Sequence, residues 1–159
     1  MAKITIAYLQ GILGDATYSK IHKTHRISQA NREWLEKVKD LLLSIGDKSW
    51  IYKEGKNRNV YVLETTSKAL SLSFDPMKLQ TKSEKIAYVR GYFDAEGGTA
   101  KEEKVRFYLQ FAEKDRNRLE KVKSLLDGLG IECGRIHCPS VKADPNYWRF
   151  YVKVNSYDK

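Results

Sequence analysis

The strongest constraint on this chain is that it repeats itself. Leu35-Glu-Lys-Val-Lys-Asp-Leu-Leu-Leu-Ser-Ile-Gly46 and Leu119-Glu-Lys-Val-Lys-Ser-Leu-Leu-Asp-Gly-Leu-Gly130 agree at eight of twelve positions, and Ile6-Ala-Tyr-Leu-Gln-Gly11 agrees with Ile86-Ala-Tyr-Val-Arg-Gly91 at four of six. Amphipathic helices of Leu, Lys and Glu resemble one another by chance, so either match alone is weak. Two matches in the same order, at nearly the same spacing, mark a duplication. The chain therefore divides into halves at 1–75 and 82–159, joined by a Pro-containing connector at 76–81.

Each half is organised around one helix. In the second it opens at Thr81, whose hydroxyl and the Glu84 carboxylate three residues on form a capping box. Ala87, Gly91 and Ala95 recur every fourth residue and leave a stripe almost bare of side chains, so a second backbone can approach closely. Asp94 and Glu96 stand at the end of that stripe, and Gly97-Gly98 stops the helix. An acid at a helix C-terminus opposes the macrodipole and calls for a compensating cation. By itself an Asp-Ala-Glu beside two glycines reads as solvated charge; the surrounding pattern argues for more.

Val89-Arg-Gly-Tyr-Phe-Asp-Ala-Glu-Gly97 resembles, position for position, the nine-residue motif that names the LAGLIDADG homing endonucleases. In that family the eighth motif position is the metal-binding catalytic carboxylate, which carries over here onto Glu96 and not Asp94. The first half offers the partner helix, about residues 3–14, with Ala7 and Gly11 as its small stripe. Two registers are open for it. Aligning Gly11 with Gly91 sets Ala16 opposite Glu96; sliding by one residue sets Asp15 there, at the cost of putting Gln10 in the glycine's place. The second is favoured, since no other acid lies near that helix end and a last turn is easily shortened.

After each motif comes a stretch that alternates as strands do, residues 18–28 and 104–112. Val105, Phe107, Leu109 and Phe111 would face the core and Arg106, Tyr108 and Gln110 the outside; the repeat equates these last with His22, Thr24 and Arg26. A helix and a hairpin follow in each half, and in the returning strand of the second Trp148, Phe150, Val152 and Val154 read as core, leaving Arg149, Tyr151 and Lys153 outward. Residues 67–74 read as a short apolar helix closing the first half, with no counterpart in the second. With Lys20, the outward rows make a basic and hydrogen-bonding surface suited to DNA. His22 and His25 sit on alternating faces of a strand and diverge, and Cys133 and Cys138 lack zinc-motif spacing, so no zinc site is expected.

The fold expected is α+β, two αββαββ(α) halves related by pseudo-two-fold symmetry, whose two antiparallel sheets form a saddle. A net charge of +9, from 29 Lys and Arg against 20 Asp and Glu, attracts polyanions. No apolar run reaches transmembrane length, and the start carries neither a signal-peptide core nor a transit pattern, so the protein is expected to stay where it is made. The family resemblance implies that the motif helices pack at the centre, that Asp15 and Glu96 hold Mg²⁺ or Mn²⁺, and that duplex DNA lies across the saddle. It also implies a polar residue at each strand-to-helix junction, here Gln29 and Glu113, and a lysine before the second motif, Lys78 or Lys82. The activity implied is site-specific double-strand cleavage across the minor groove with short 3′ overhangs, by a monomer needing no obligate protein partner. A cleavage-deficient DNA-binding relative or an RNA-splicing maturase is the alternative, and a basic scaffold without site preference a third.

Overall fold

A computed structural model describes residues 2–99 and 107–159. The first half runs α1 (Ala2–Gly11), β1 (Thr17–Ser19), β2 (Thr24–Gln29), α2 (Arg32–Ser44), β3 (Ser49–Lys53) and β4 (Tyr61–Thr65). After a 3₁₀ turn at Pro76–Lys78, the second runs α3 (Lys82–Glu96), β5 (Gly97–Thr99), β6 (Leu109–Glu113), α4 (Arg116–Gly128) and β7 (Trp148–Tyr151). One antiparallel sheet has the order β1-β2-β4-β3 and the other β5-β6-β7. This is the duplicated α+β architecture expected.

The halves meet where α1 crosses α3. A Cβ on Gly11 would lie 2.2 Å from the Tyr88 carbonyl oxygen, and one on Gly91 would lie 2.2 Å from the Tyr8 carbonyl oxygen. The contact is thus backbone on backbone, and hydrogen is all that fits at either position. Tyr88 and Tyr92 are buried at this crossing, beneath Phe111 and Phe150, in a core shared with Leu119 and Val122. Leu9, Ile12, Ile27, Leu35 and Leu63 form the corresponding core of the first half. One face of each sheet supplies Ile27 and Leu63, or Phe111 and Phe150; the other face is left outward.

Local chemistry repeats with the fold. The Thr81 hydroxyl accepts the Glu84 N–H at 3.1 Å while the Glu84 carboxylate accepts the Thr81 N–H at 3.1 Å, the reciprocal box that starts α3. Asn31 caps α2 and Asp115 caps α4 at equivalent positions. Both helices end on a glycine in the left-handed region, Gly46 at φ 84° and Gly130 at φ 80°. Gly97 differs: its φ is −81°, and a Cβ there would lie 2.1 Å from the Phe93 ring, so close packing rather than a left-handed turn requires it.

Four expectations need correction. Residues 67–74 form no helix; the run turns irregularly, held where Gln10 bonds both the N–H and the carbonyl of Ser71. Residues 18–28 split into β1 and β2 around a tight turn in which Lys23 takes φ 55°, and His22 lies in that turn and not on a strand. Only isolated bridges, Cys133 with Val152 and His137 with Arg149, form where a full strand was expected before β7. Val154, in a 3₁₀ turn, and Phe107 are 56% and 54% exposed, both outside the core that was expected to hold them. Arg106 and the start of its expected strand lie outside the described residues. Among the described residues no helix is long and apolar enough to cross a membrane.

Candidate active site

The two motif helices stop at different depths. α1 ends at Gly11 and continues through turns to Asp15, whereas α3 stays helical as far as Glu96. That difference resolves the register. Gly11 lies opposite Gly91, so the first alignment holds through the helix bodies; the tighter end of α1 then advances the chain by one residue and brings Asp15 to Glu96. Ala16 instead packs on the first-half core. Gln10 does not take the glycine's place; it is buried and turned toward Ser71. Gly14 gives the Glu96 side chain its room, since a Cβ there would fall 2.6 Å from Oε1.

The Asp15 and Glu96 carboxyl groups stand within hydrogen-bonding reach of each other. Burial first, then the Asp15 charge and hydrogen bond, then Glu113, push the Glu96 carboxyl up to about 8. Two carboxylates this close cannot both ionise without a cation between them, so near neutrality the bare pair retains a proton. Glu113, 7% exposed at the end of β6, joins the cluster from the inner sheet face. Burial raises its carboxyl too, although it accepts a hydrogen bond from the Tyr92 hydroxyl and faces Arg118 at 3.5 Å. The Tyr92 phenol is raised far above its ordinary range by burial and the Glu113 charge.

Arg118 is the residue that sequence reasoning missed. It comes from the first turn of α4, donates to the Gly11 carbonyl at 3.1 Å and lies 5.0 Å over the Tyr92 ring. Burial works against its charge, but Tyr88, Glu113 and Tyr92 more than offset this and hold the guanidinium firmly protonated. A signal existed: Arg118 stands four residues before Val122 on the buried stripe of α4, where a charge needs a buried partner. Gln29 occupies the position equivalent to Glu113, at the end of β2, also on an inner face. Lys82 is not brought to this cluster. It begins the 15-residue α3 that Glu96 ends, about 21 Å away at the helical rise, and Lys78 precedes it across the connector. Lys82, at the far end of that helix, cannot touch the carboxylates.

The outward sheet faces carry the other candidates. Arg26 and Glu64 form an ion pair at 2.5 Å, and the same carboxylate accepts hydrogen bonds from Thr24 Oγ1 at 3.0 Å and Trp50 Nε1 at 3.1 Å. Thr24 is consequently 2% exposed, with its hydroxyl engaged inside the protein. Burial alone would raise Glu64, but Arg26, Thr24 and Trp50 together hold it below the usual carboxylate range. Lys20 and His22 are exposed in the β1–β2 turn. On the second sheet Gln110 pairs with Tyr151, Arg149 lies 5.5 Å over the Tyr151 ring, Tyr108 meets that ring edge-on at 5.8 Å, and Lys153 is exposed. Trp50 and Tyr52, not anticipated, add two half-exposed aromatic rings to the first face. Cys133 and Cys138 are free thiols. No group of three or more His, Cys, Asp or Glu placed to hold a metal ion occurs among the described residues.

Comparison with known proteins places the fold. The family model described as a LAGLIDADG-like domain matches the chain twice, over residues 4–76 and 83–155. The chain belongs to the LAGLIDADG family. No curated protein matches it. The LAGLIDADG fold here is similar to mesophilic variants of the homing endonuclease I-DmoI, at 22% identity over 97% of this chain and 85% of that one, with a TM-score of 0.71. It is similar to I-DmoI in complex with DNA and Mn, at 22% identity over 98% and 92% of the two chains, with a TM-score of 0.68. The N-terminal LAGLIDADG domain of DUF199/WhiA superposes at a TM-score of 0.71 with 13% identity, over 98% and 78% of the two chains.

Proposed function

We propose that this LAGLIDADG chain is a site-specific, divalent-metal-dependent DNA endonuclease of the homing type. In this reading it acts as a monomer, cutting both strands across the minor groove and leaving short 3′ overhangs. The observation that carries it is the Asp15–Glu96 pair at the foot of the crossing helices. One acid comes from each half, as two strands related by a pseudo-two-fold require.

The donor set fits a hard cation. Two carboxylates that already compete for one proton are relieved by a divalent ion, and Mg²⁺ or Mn²⁺ completes its shell with water and phosphate oxygens rather than a full protein cage. Asp15 and Glu96 would hold it. A bound ion there would neutralise charge on the phosphate and lower the pKa of a coordinated water. The protein groups do the rest. Arg118 and Tyr92 keep Glu113 paired, so the site does not accumulate a third free anion beside the DNA phosphates. Gln29, in the equivalent place of the first half, puts a neutral hydrogen-bonding group where the second half has Glu113. The outward Arg26, Arg149, Lys153, Tyr108, Gln110, Tyr151, Lys20 and His22 would contact the duplex, and base edges in the major groove would be read from these two faces. I-DmoI bound to DNA and Mn is consistent with this assignment of partner and metal.

The experiment begins with DNA selected for binding from a randomised duplex library, which is then tested for cleavage with Mg²⁺, with Mn²⁺ and with chelator. Double-strand cleavage at one selected sequence, dependent on the ion and lost in Glu96→Gln, is expected. Selected sequences that are bound tightly and never cut would replace the enzyme with the cleavage-deficient DNA-binding reading.

A further inference from the structure

The second half contains a filled groove whose counterpart in the first half is open. In the second half residues 74–79 lie across α3 and α4. Phe74 meets the Tyr88 ring at 6.0 Å, Phe74 and Leu79 pack on the core, and Asp75 pairs with Lys121 at 3.4 Å. Asp75 also caps the 3₁₀ turn that follows, so one acid both shapes the segment and anchors it. The repeat equates Tyr88 with Tyr8, and Lys121, Val122 and Leu125 with Lys37, Val38 and Leu41. Those four first-half residues line a groove of about 920 Å³ between α1, α2 and α3. Ile86 and Ala87, the counterparts of Ile6 and Ala7, close its far wall.

Among the described residues nothing fills it. Ile4 and Ile86 on its rim are 41% and 47% exposed. Lys37, unlike Lys121, has no acid within ion-pair distance among the described residues. Asp94 is already engaged by the Tyr8 hydroxyl at 2.7 Å, and together burial and Asp94 push that phenol up to about 12. The remaining charged residues of the lining are Lys37, Arg90 and Asp40, and of these Lys37 stands at the position equivalent to Lys121. An apolar trough with a cation at its edge, in a frame whose other copy holds an aromatic residue followed by an acid, selects the same chemistry.

We propose that this groove docks an extended segment of a partner protein in which an aromatic side chain is followed directly by an acid. The ring seats against Tyr8 between Val38 and Ile86, and the acid pairs with Lys37. No residue of either sheet lines the groove, so docking leaves the outward sheet faces free.

The probe is a blocked peptide copying residues 72–80, titrated into the full-length protein and followed by backbone amide NMR. Saturable shifts at Tyr8, Lys37, Leu41 and Ile86 are expected. Replacing the peptide phenylalanine by alanine should weaken binding about tenfold, since the ring carries most of the buried area. Lys37→Glu should weaken it about threefold to fivefold, as a partly exposed ion pair allows, and a peptide with lysine in place of aspartate should recover the loss. Affinity for duplex DNA should be unchanged by the peptide. Shifts that are absent, that fall at Tyr88 and Lys121 through displacement of the connector, or that ignore the charge swap would overturn the proposal. Self-association of the protein with the same footprint would assign the groove to a second copy and overturn it equally.

Discussion

Glu96 ties stability to pH and to metal, and the tie can be measured without any DNA target. Its carboxyl is raised from an ordinary 4.5 to about 8 by burial and by Asp15. The fold favours the protonated form, so that stabilisation is complete below about pH 4.5 and is lost as pH rises through about 8. At about 1.4 kcal/mol per pH unit the displacement is nominally worth about 5 kcal/mol. The side chain keeps some contact with solvent, and screening there reduces the figure to about 2 kcal/mol. Urea denaturation in chelator should therefore show stability falling by about 2 kcal/mol between pH 5 and pH 9 for the wild type. Glu96→Gln, which keeps the shape and cannot ionise, should flatten that segment and be about 2 kcal/mol more stable than wild type at pH 9. Millimolar Mg²⁺ or Mn²⁺ should restore the wild type at high pH and leave the variant unmoved. Equal pH dependence in the two proteins would refute the shared-proton account of the carboxylate pair.

Other perturbations follow from the same geometry. Asp15→Asn should lower cleavage of a selected target by several powers of ten, as should Glu96→Gln, with DNA affinity retained in both; a silent Asp15→Asn in a single-turnover assay would place the functional acid elsewhere. Gly11→Ala sets a methyl 2.2 Å from the Tyr88 carbonyl and should cost about 3 kcal/mol in chemical denaturation. Arg118→Met leaves Glu113 buried and unpaired and should cost about 3 kcal/mol at pH 8, with Glu113→Gln in the same chain recovering most of it. Lys82→Ala, about 21 Å from the carboxylates, should leave the rate of cleavage unchanged once DNA is saturating. DNA affinity itself should fall steeply between low and moderate salt, since a basic saddle displaces many counterions.

The two half-sites are unequal. The first presents Gln29 where the second presents Glu113, and Trp34 stands at the helix position of Arg118. Among the described residues the buried Arg118–Glu113 ion pair has no counterpart at Gln29 and Trp34, so the field across the carboxylates is asymmetric. The outward face of the first sheet is asymmetric as well, because Glu64 collects Arg26, Thr24 and Trp50 into one network. Arg26 is thereby held in place, with only its remaining guanidinium donors free to meet a base.

Much of this protein was determined by short-range pattern. The duplication, the capping box at Thr81, the caps at Asn31 and Asp115, the glycines that let α1 approach α3, and Glu96 as the end of the second motif are all set by spacing within a few turns of helix. Tertiary structure decided the rest, because the rest depends on partners distant in sequence. Whether Asp15 or Ala16 meets Glu96 turns on how tightly residues 12–15 wind after α1, and that winding is fixed by α3 lying across Gly11. Arg118 reads in sequence as one more basic residue of an amphipathic helix, until Gly11, Tyr92 and Glu113 surround it. Lys82 looks near the motif in sequence, but a helix carries its first residue far from its last. Residues 67–74 are apolar enough for a helix, yet Gln10, 61 residues from Ser71, takes the backbone groups that a helix would have used. A repeat predicts what its two copies share; what they do differently was written in the contacts between them.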